Sequence, residues 1–188
     1  PEMQQKVAGI MCNFDEDNLL PAFSFSEKIL PSVVTKRVLA SILAKVFDPH
    51  GLISPFLTGL KVLLQDTWLM SKAWDEPLAG DLDAEKSIFQ VFDDLRHIVS
   101  MSKSITVPRW VGVLCSDEVQ LHVFCDASKR LYAASAYLRA SGCSGSSCHL
   151  IASKSKLVTP ALLKVNFSPK FELLACFLAV KLAKSLQS

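Results

Sequence analysis

Between residues 119 and 125 the chain alternates: Val119, Leu121, Val123 and Cys125 are separated by Gln120, His122 and Phe124. A period of two is the signature of a half-buried strand, so this segment needs a sheet to pair with and a layer to cover its apolar side. Residues 132–138, rich in Ala and Ser, and residues 149–155 supply two further strand candidates, separated by the turn-forming run Ser141-Gly-Cys-Ser-Gly-Ser-Ser147. Residues 168–188 then switch to a helical pattern, with Ser168 placed to cap it and Pro169 suited to the first helical position. The order strand, strand, strand, helix predicts an α+β unit in which one helix packs on a sheet.

Two carboxylates stand out against this frame. At about 100° per residue, Lys170, Lys181, Lys184 and Ser185 gather on one side of the last helix. Glu172 falls opposite them, in an arc with Ala175, Cys176, Ala179, Leu182, Ala183 and Leu186. A carboxylate on an apolar arc calls for a cation, a metal or hydrogen-bond donors, because burying it alone costs several kcal/mol. The other account is that Glu172 is a first-turn acid favoured by the helix dipole. Asp126 comes as the first strand ends, where Asp126-Ala-Ser128 serves equally well as a turn closed by an Asx hydrogen bond. One carboxylate at a strand end and one in a packed helix together point to a metal-dependent site.

At these residues the chain resembles a known family. The C-terminal part is similar to the first half of a ribonuclease H-like domain, and the whole chain resembles Pol polyproteins of BEL/Pao-type LTR retrotransposons, from the end of reverse transcriptase into ribonuclease H. The residues that carry the resemblance are Thr35-Lys-Arg-Val-Leu39 with Ala44-Lys-Val-Phe-Asp-Pro49, Gly51-Leu-Ile-Ser-Pro55, Leu63-Leu-Gln65, Trp68, Trp74-Asp-Glu-Pro77, Phe124-Cys-Asp-Ala-Ser128 and Phe171-Glu-Leu-Leu-Ala175. They span roughly residues 7 to 180. Departures from the family pattern fall at Ala8, Cys12 and His50.

The resemblance implies a two-metal site, in which carboxylates hold two Mg²⁺ ions that activate water and stabilise the leaving oxygen of an RNA phosphodiester. In that scheme Asp126 bridges both metals and Glu172 holds one. The family's other two aspartates lie further along its chain, and this sequence stops sixteen residues after Glu172. The polypeptide by itself is therefore expected not to cleave RNA, and Mg²⁺ is expected of the complete parent domain. The implied domains are residues 1–30 as the last hairpin of the polymerase palm, 31–110 as a helical thumb and connection, and 111–188 as a truncated ribonuclease H-like mixed sheet with one packed helix. The implied partners are an RNA–DNA hybrid or template–primer duplex and the remainder of the Pol polyprotein. A competing class is a non-catalytic remnant, decayed or reused as a nucleic-acid or protein-binding module.

The formal charge of +2 hides a division. Residues 1–102 carry nine Lys and Arg against fourteen Asp and Glu, giving −5, and residues 103–188 carry eleven against four, giving +7. A basic half fits a phosphate-binding surface, for which Lys154, Lys156, Lys164 and Lys170 are the candidates, although an ordinary solvated lysine face has the same composition.

The first half offers scaffold. Residues 6–26 are predicted to form two strands around the polar turn Asn13-Phe-Asp-Glu-Asp-Asn18. Thr35 caps a helix carrying Val38, Leu39, Ile42, Leu43, Val46 and Phe47 at helical spacing, which ends at Asp48-Pro-His-Gly51. Ser54-Pro55 opens a second helix to about Ala73, with Leu57, Leu60, Leu64 and Trp68 along one stripe. An acidic linker over residues 75–83 precedes a third helix over 83–99, in which Asp93 and Asp94 point outward from a stripe of Ile88, Phe92, Leu95 and Val99. That stripe excludes Val91-Phe-Asp-Asp94 as a polymerase metal motif.

Other chemistries find no support in the sequence. An aspartic protease needs Asp-Ser/Thr-Gly for its shared-proton dyad, which neither Asp66-Thr-Trp68 nor Asp126-Ala-Ser128 supplies. There is no Walker loop, dinucleotide glycine fingerprint or HExxH, so no small-molecule cofactor is expected. Cys143, Cys148 and His149 lack zinc-ligand spacing. The six cysteines contain no CxxC pair and are expected to be reduced thiols, with Cys125 and Cys176 filling the core. No uncharged apolar run of about 18 residues occurs, and no basic stretch followed by an apolar one opens the chain, so an intracellular protein without a membrane span is expected.

Overall fold

The computed structural model describes residues 4–7, 10–20, 22–23, 33–70, 72–78, 93, 106–114, 118–143, 145–164 and 169–187. These form two compact units, one from residues 1–48 and 55–107, the other from residues 49–54 and 108–188. The class is α+β, as the alternation of periods predicts.

In the first unit, Gln4–Val7 (β1), Ile10–Asn13 (β2) and Asn18–Leu20 (β3) pair in antiparallel fashion; the strand order of the sheet is β1-β2-β3-β6, where β6 is Val107–Pro108, whose Val107 belongs to this unit. The polar turn lies where its composition puts it. The buried Asn13 accepts hydrogen bonds at Oδ1 from the amides of Asp15 (3.0 Å) and Glu16 (3.3 Å), and Asp17 takes a positive φ of 54°. The strand expected before this turn is two strands, β1 and β2, paired with each other.

Helix Lys36–Lys45 (α1) begins where Thr35 Oγ1 accepts the Val38 amide at 3.3 Å. It ends earlier than its apolar spacing predicts. Val46–Phe47 (β5) leaves the helix and pairs with Ala22–Phe23 (β4). The β-branched Val46 and the restriction that Pro49 places on Asp48 both favour extended backbone here, and β4 supplies the hydrogen bonds. Helix Ser54–Leu69 (α2) stops four residues short of the expected Ala73. Its buried residues are Leu57, Leu60, Leu63, Gln65 and Thr67, so the inward stripe runs through Leu63 and Thr67, and Trp68 is half exposed. The expected helix over 83–99 lies outside the described residues except for Asp93, which is helical and exposed.

Lys36, Arg37, Trp68, Trp74 and Asp75 meet in this unit. Lys36, although buried, donates its Nζ to the Lys72 carbonyl and sits 5.4 Å from the centre of the Trp68 ring. Trp68 meets Trp74 edge to face, with centroids 5.2 Å apart. Arg37 lies over Trp74 and grips Asp75 with two hydrogen bonds, 2.6 Å from Nε and 2.9 Å from the second guanidinium nitrogen. Backbone bonds from Arg37 to Trp74 (3.2 Å) and from the buried Leu78 to Val34 (2.9 Å) hold the 72–78 segment across the start of α1.

In the second unit, Glu118–Ala127 (β7), Leu131–Gly142 (β8) and Gly145–Leu157 (β9) form an antiparallel sheet in the order β7-β8-β9. The strands run deep into the Ser/Gly segment, leaving a tight connection where the sequence suggested a seven-residue turn. A register shift beside Ala136 and Tyr137 inserts one extra residue into β9, as a bulge does. A short helix, Pro160–Leu163 (α3), precedes the long helix Pro169–Gln187 (α4). Ser168, the expected cap of α4, lies outside the described residues. Leu178 and Leu182 of α4 pack on Ala134, Ala136 and Ala152, with Leu121, Val123, Tyr132 and Ala179 at the margin.

Residues 49–54 cover the free edge of β9. The Ser153 amide donates to the His50 carbonyl at 2.7 Å, and the Ser153 hydroxyl donates to the Gly51 carbonyl. Gly51 has φ of 71°, and a Cβ built on it would come within 2.0 Å of the Ser153 carbonyl oxygen. Only glycine satisfies both demands.

Two measurements probe these arrangements. Gly51→Ala should cost more than about 2 kcal/mol in urea unfolding, since overlap with β9 adds to the left-handed penalty. Gly112→Ala, at the same φ of 71° but with nothing within 4 Å, should cost only about 1 kcal/mol; equal losses would remove the close approach to Ser153 as the reason for glycine. For Asp75, the hydrogen bond from Arg37 and the charge behind it hold the carboxyl below its ordinary range. The folded pKa lies under the unfolded one, so this contribution is present above about pH 4 and lost as pH falls through the folded value. Urea melts should therefore show the wild type slightly more stable than Asp75→Asn at neutral pH, with the difference closing at about pH 2. A difference that persists there would assign it to something other than the ion pair.

Candidate functional site

Strand β7 ends at Ala127, and the turn to β8 is built by Ser128. Its amide donates to the Leu131 carbonyl at 2.8 Å, and its hydroxyl oxygen accepts from the amides of Arg130 and Leu131, both at 3.2 Å. Asp126 is not the residue that closes this turn. It lies within β7, exposed, its Oδ1 accepting the adjacent Ala127 amide at 2.8 Å. The Asx-turn account of Asp126 is thereby replaced by a serine turn two residues on.

Glu172 lies in the first turn of α4 and is exposed. The apolar arc inferred from spacing overlaps the buried one at Ala175 and Leu182 but is rotated from it. The buried row of α4 is Phe171, Ala175, Leu178 and Leu182, whereas Leu173 (69% exposed), Phe177 (56%) and Val180 (52%) face solvent. A helix apolar on nearly every side gives periodicity little to choose between, and the alanine-lined sheet selects the row that fits. With Glu172 solvated, its position matches the first-turn preference for negative charge, and no desolvation argument is needed to explain it.

The two carboxylates come from elements that touch beside them. Cys125 Sγ of β7 lies 3.9 Å from Cys176 Sγ of α4. Cys125 is the residue before Asp126, and Cys176 is one helical turn beyond Glu172. Both cysteines are exposed free thiols, which corrects the expectation that they fill the core. The contact arises because Leu121, Val123 and Cys125 share the face of β7 that meets α4, and strand alternation assigns Asp126 to the side of Phe124. Burial first, then the Cys176 thiol, with Asp126 adding its charge, push the Cys125 thiol up. Sequence spacing alone held no signal for this pair, which is 51 residues apart.

The candidate lysines are all exposed. Lys154 pairs with Ala134 and Lys156 with Tyr132, so both lie on the α4 side of the sheet, flanking Ser155 in the row Asp126–Ala133–Ser155. That row spans two strand spacings, about 10 Å. Lys170 belongs to the first turn of α4 with Glu172, and Lys164 follows α3. On the far face, Arg139 reaches Gln120 and Ser146 (both 3.4 Å), His122 meets Gln120 (3.2 Å), and Phe124 meets Tyr137 edge to face at 5.9 Å.

Two carboxylates are oxygen donors of the type Mg²⁺ takes. Among the described residues, no group of three or more His, Cys, Asp and Glu side chains is placed to hold a metal ion. Also among the described residues, no helix is long and apolar enough to cross a membrane.

A family model for the Pao retrotransposon-like RNaseH-like domain matches residues 35–188. No curated protein matches the chain.

Proposed function

The chain belongs to the Pao retrotransposon-like RNaseH-like domain family, and from that membership we propose that its second unit is the strand-and-helix part of a nuclease domain acting on RNA–DNA hybrids within a Pol polyprotein. The observation that carries this reading is the position of Asp126 near the end of strand β7, on the face turned from α4, and of Glu172 in the first turn of α4, on elements that meet at Cys125 and Cys176. In the full assembly these two would contribute oxygen ligands to the metal ions that activate water for phosphodiester cleavage. Reverse transcription belongs, in this reading, to other parts of the same polyprotein.

The chain's own contribution is electrostatic and positional. Residues 103–188 carry a net charge of +7, and Lys154, Lys156 and Lys170 stand exposed on the elements that carry or neighbour the carboxylates. A polyanionic backbone is drawn to such a surface, and its phosphates neutralise the lysines. Two carboxylates do not suffice to place two metal ions. We therefore derive no cleavage step for this polypeptide alone.

The test is hybrid binding and cleavage by the 188-residue chain. Binding to an RNA–DNA hybrid should weaken steeply with salt, and the double change Lys154→Gln with Lys156→Gln should reduce the salt slope by about 2. Incubation with Mg²⁺ should leave the RNA strand intact. Binding that ignores ionic strength would sink the hybrid-surface reading, and Mg²⁺-dependent cleavage abolished by Asp126→Asn would show that the chain holds a complete site.

A further inference from the structure

Thiol chemistry plays no part in the hybrid-binding reading, yet β7 and α4 meet at two sulfurs. Cys125 Sγ and Cys176 Sγ are 3.9 Å apart, both residues are exposed, and both are free thiols. We propose that Cys125 and Cys176 form an oxidative cross-linking site, at which a peroxide converts the two thiols to a disulfide joining β7 to α4.

The geometry asks for little. A disulfide has its sulfurs about 2.05 Å apart, so the pair must close by roughly 2 Å. Both cysteines sit inside regular elements, Cys125 in β7 and Cys176 in α4. Those elements are already packed together through Leu121 and Val123 on one side and Leu178 and Leu182 on the other. Exposure of both residues admits a small oxidant.

The chemistry balances with one equivalent of hydrogen peroxide. One thiolate attacks a peroxide oxygen, the O–O bond breaks, and a sulfenic acid forms as hydroxide leaves. The second thiolate attacks the sulfenic sulfur, the S–S bond forms, and the sulfenic oxygen departs as a second hydroxide. The two protons lost by the thiols convert both hydroxides to water. Each sulfur gives up one electron, and the peroxide oxygens take up two.

The cross-link would fix the strand and helix one residue from Asp126 and one turn from Glu172. Its formation does not depend on whether those carboxylates bind metal, so it fails or succeeds separately from the nuclease reading.

The experiment is peptide mapping by mass spectrometry, without reduction, of the reduced full-length chain after treatment with hydrogen peroxide under native conditions and in urea. The expected result is a peptide pair joined through Cys125 and Cys176 with loss of two hydrogens, dominant only in the folded protein. In Cys176→Ser the joined pair should vanish and Cys125 should appear as oxygenated acids; Cys125→Ser gives the reciprocal test if the first variant does not fold. Separate oxidation of the two cysteines in the folded wild type, or cross-linking to other cysteines instead, would overturn the proposal. So would an equal yield of the Cys125–Cys176 link in urea, since native geometry would then not be its cause.

Discussion

The second unit depends on one packing arrangement, the seating of Leu178 and Leu182 against a floor of Ala134, Ala136 and Ala152. Alanine methyls on the sheet leave room for the helix to approach, and the leucines fill that room. Each fully buried leucine contributes about 1.5–3 kcal/mol, and the close fit means that neither partner can be enlarged without displacing the other. Everything at the site inherits its position from this layer. Glu172 is where it is because α4 rests on these alanines in one rotation, and Cys176 meets Cys125 for the same reason.

The extent to which this was legible follows from what each signal encodes. The alternation from Val119 to Cys125 identified β7 because one face of that strand is covered and the other is not, which is the physical origin of a period of two. Thr35 marked the start of α1 because a side-chain oxygen there accepts the Val38 amide, a local bond that local sequence can announce. Val46 and Phe47 went the other way. Their helical spacing was real, but the strand they join involves Ala22 and Phe23, distant in sequence, and no local rule foresees such a partner. Gly51 is similar: its glycine is required by Ser153, about a hundred residues on.

At the site, residue identity was legible and environment was not. Asp126 and Glu172 were singled out, and they do lie on elements in contact, but the reason given for Glu172 assumed burial that α4 does not impose. A helix with Phe171, Leu178 and Leu182 on one side and Leu173, Phe177 and Val180 on another cannot declare its inner face by periodicity. The small residues of β8 decide it. The same ambiguity misplaced the cysteines, whose polarity fits a core as well as it fits the exposed contact they make. The first-half motifs are separate short segments in the sequence, and the convergence of Lys36, Arg37, Trp68, Trp74 and Asp75 is a property of the tertiary fold.

Solvation of the two carboxylates has its own energetic consequence. A buried acidic site must be neutralised to be tolerated, so its fold and its metal are coupled. Exposed carboxylates incur no such penalty, and the packing of α4 on the sheet can stand whether or not a cation is present. The surrounding half-chain, at +7, lowers the local cation concentration when bare and raises the local concentration of polyanion. Once phosphates neutralise the lysines, that repulsion falls, and the bound backbone adds its own attraction for a divalent ion. Under the proposed hybrid-binding function, metal and nucleic acid would strengthen each other's binding by linkage, and neither would have to be held by the folded chain beforehand.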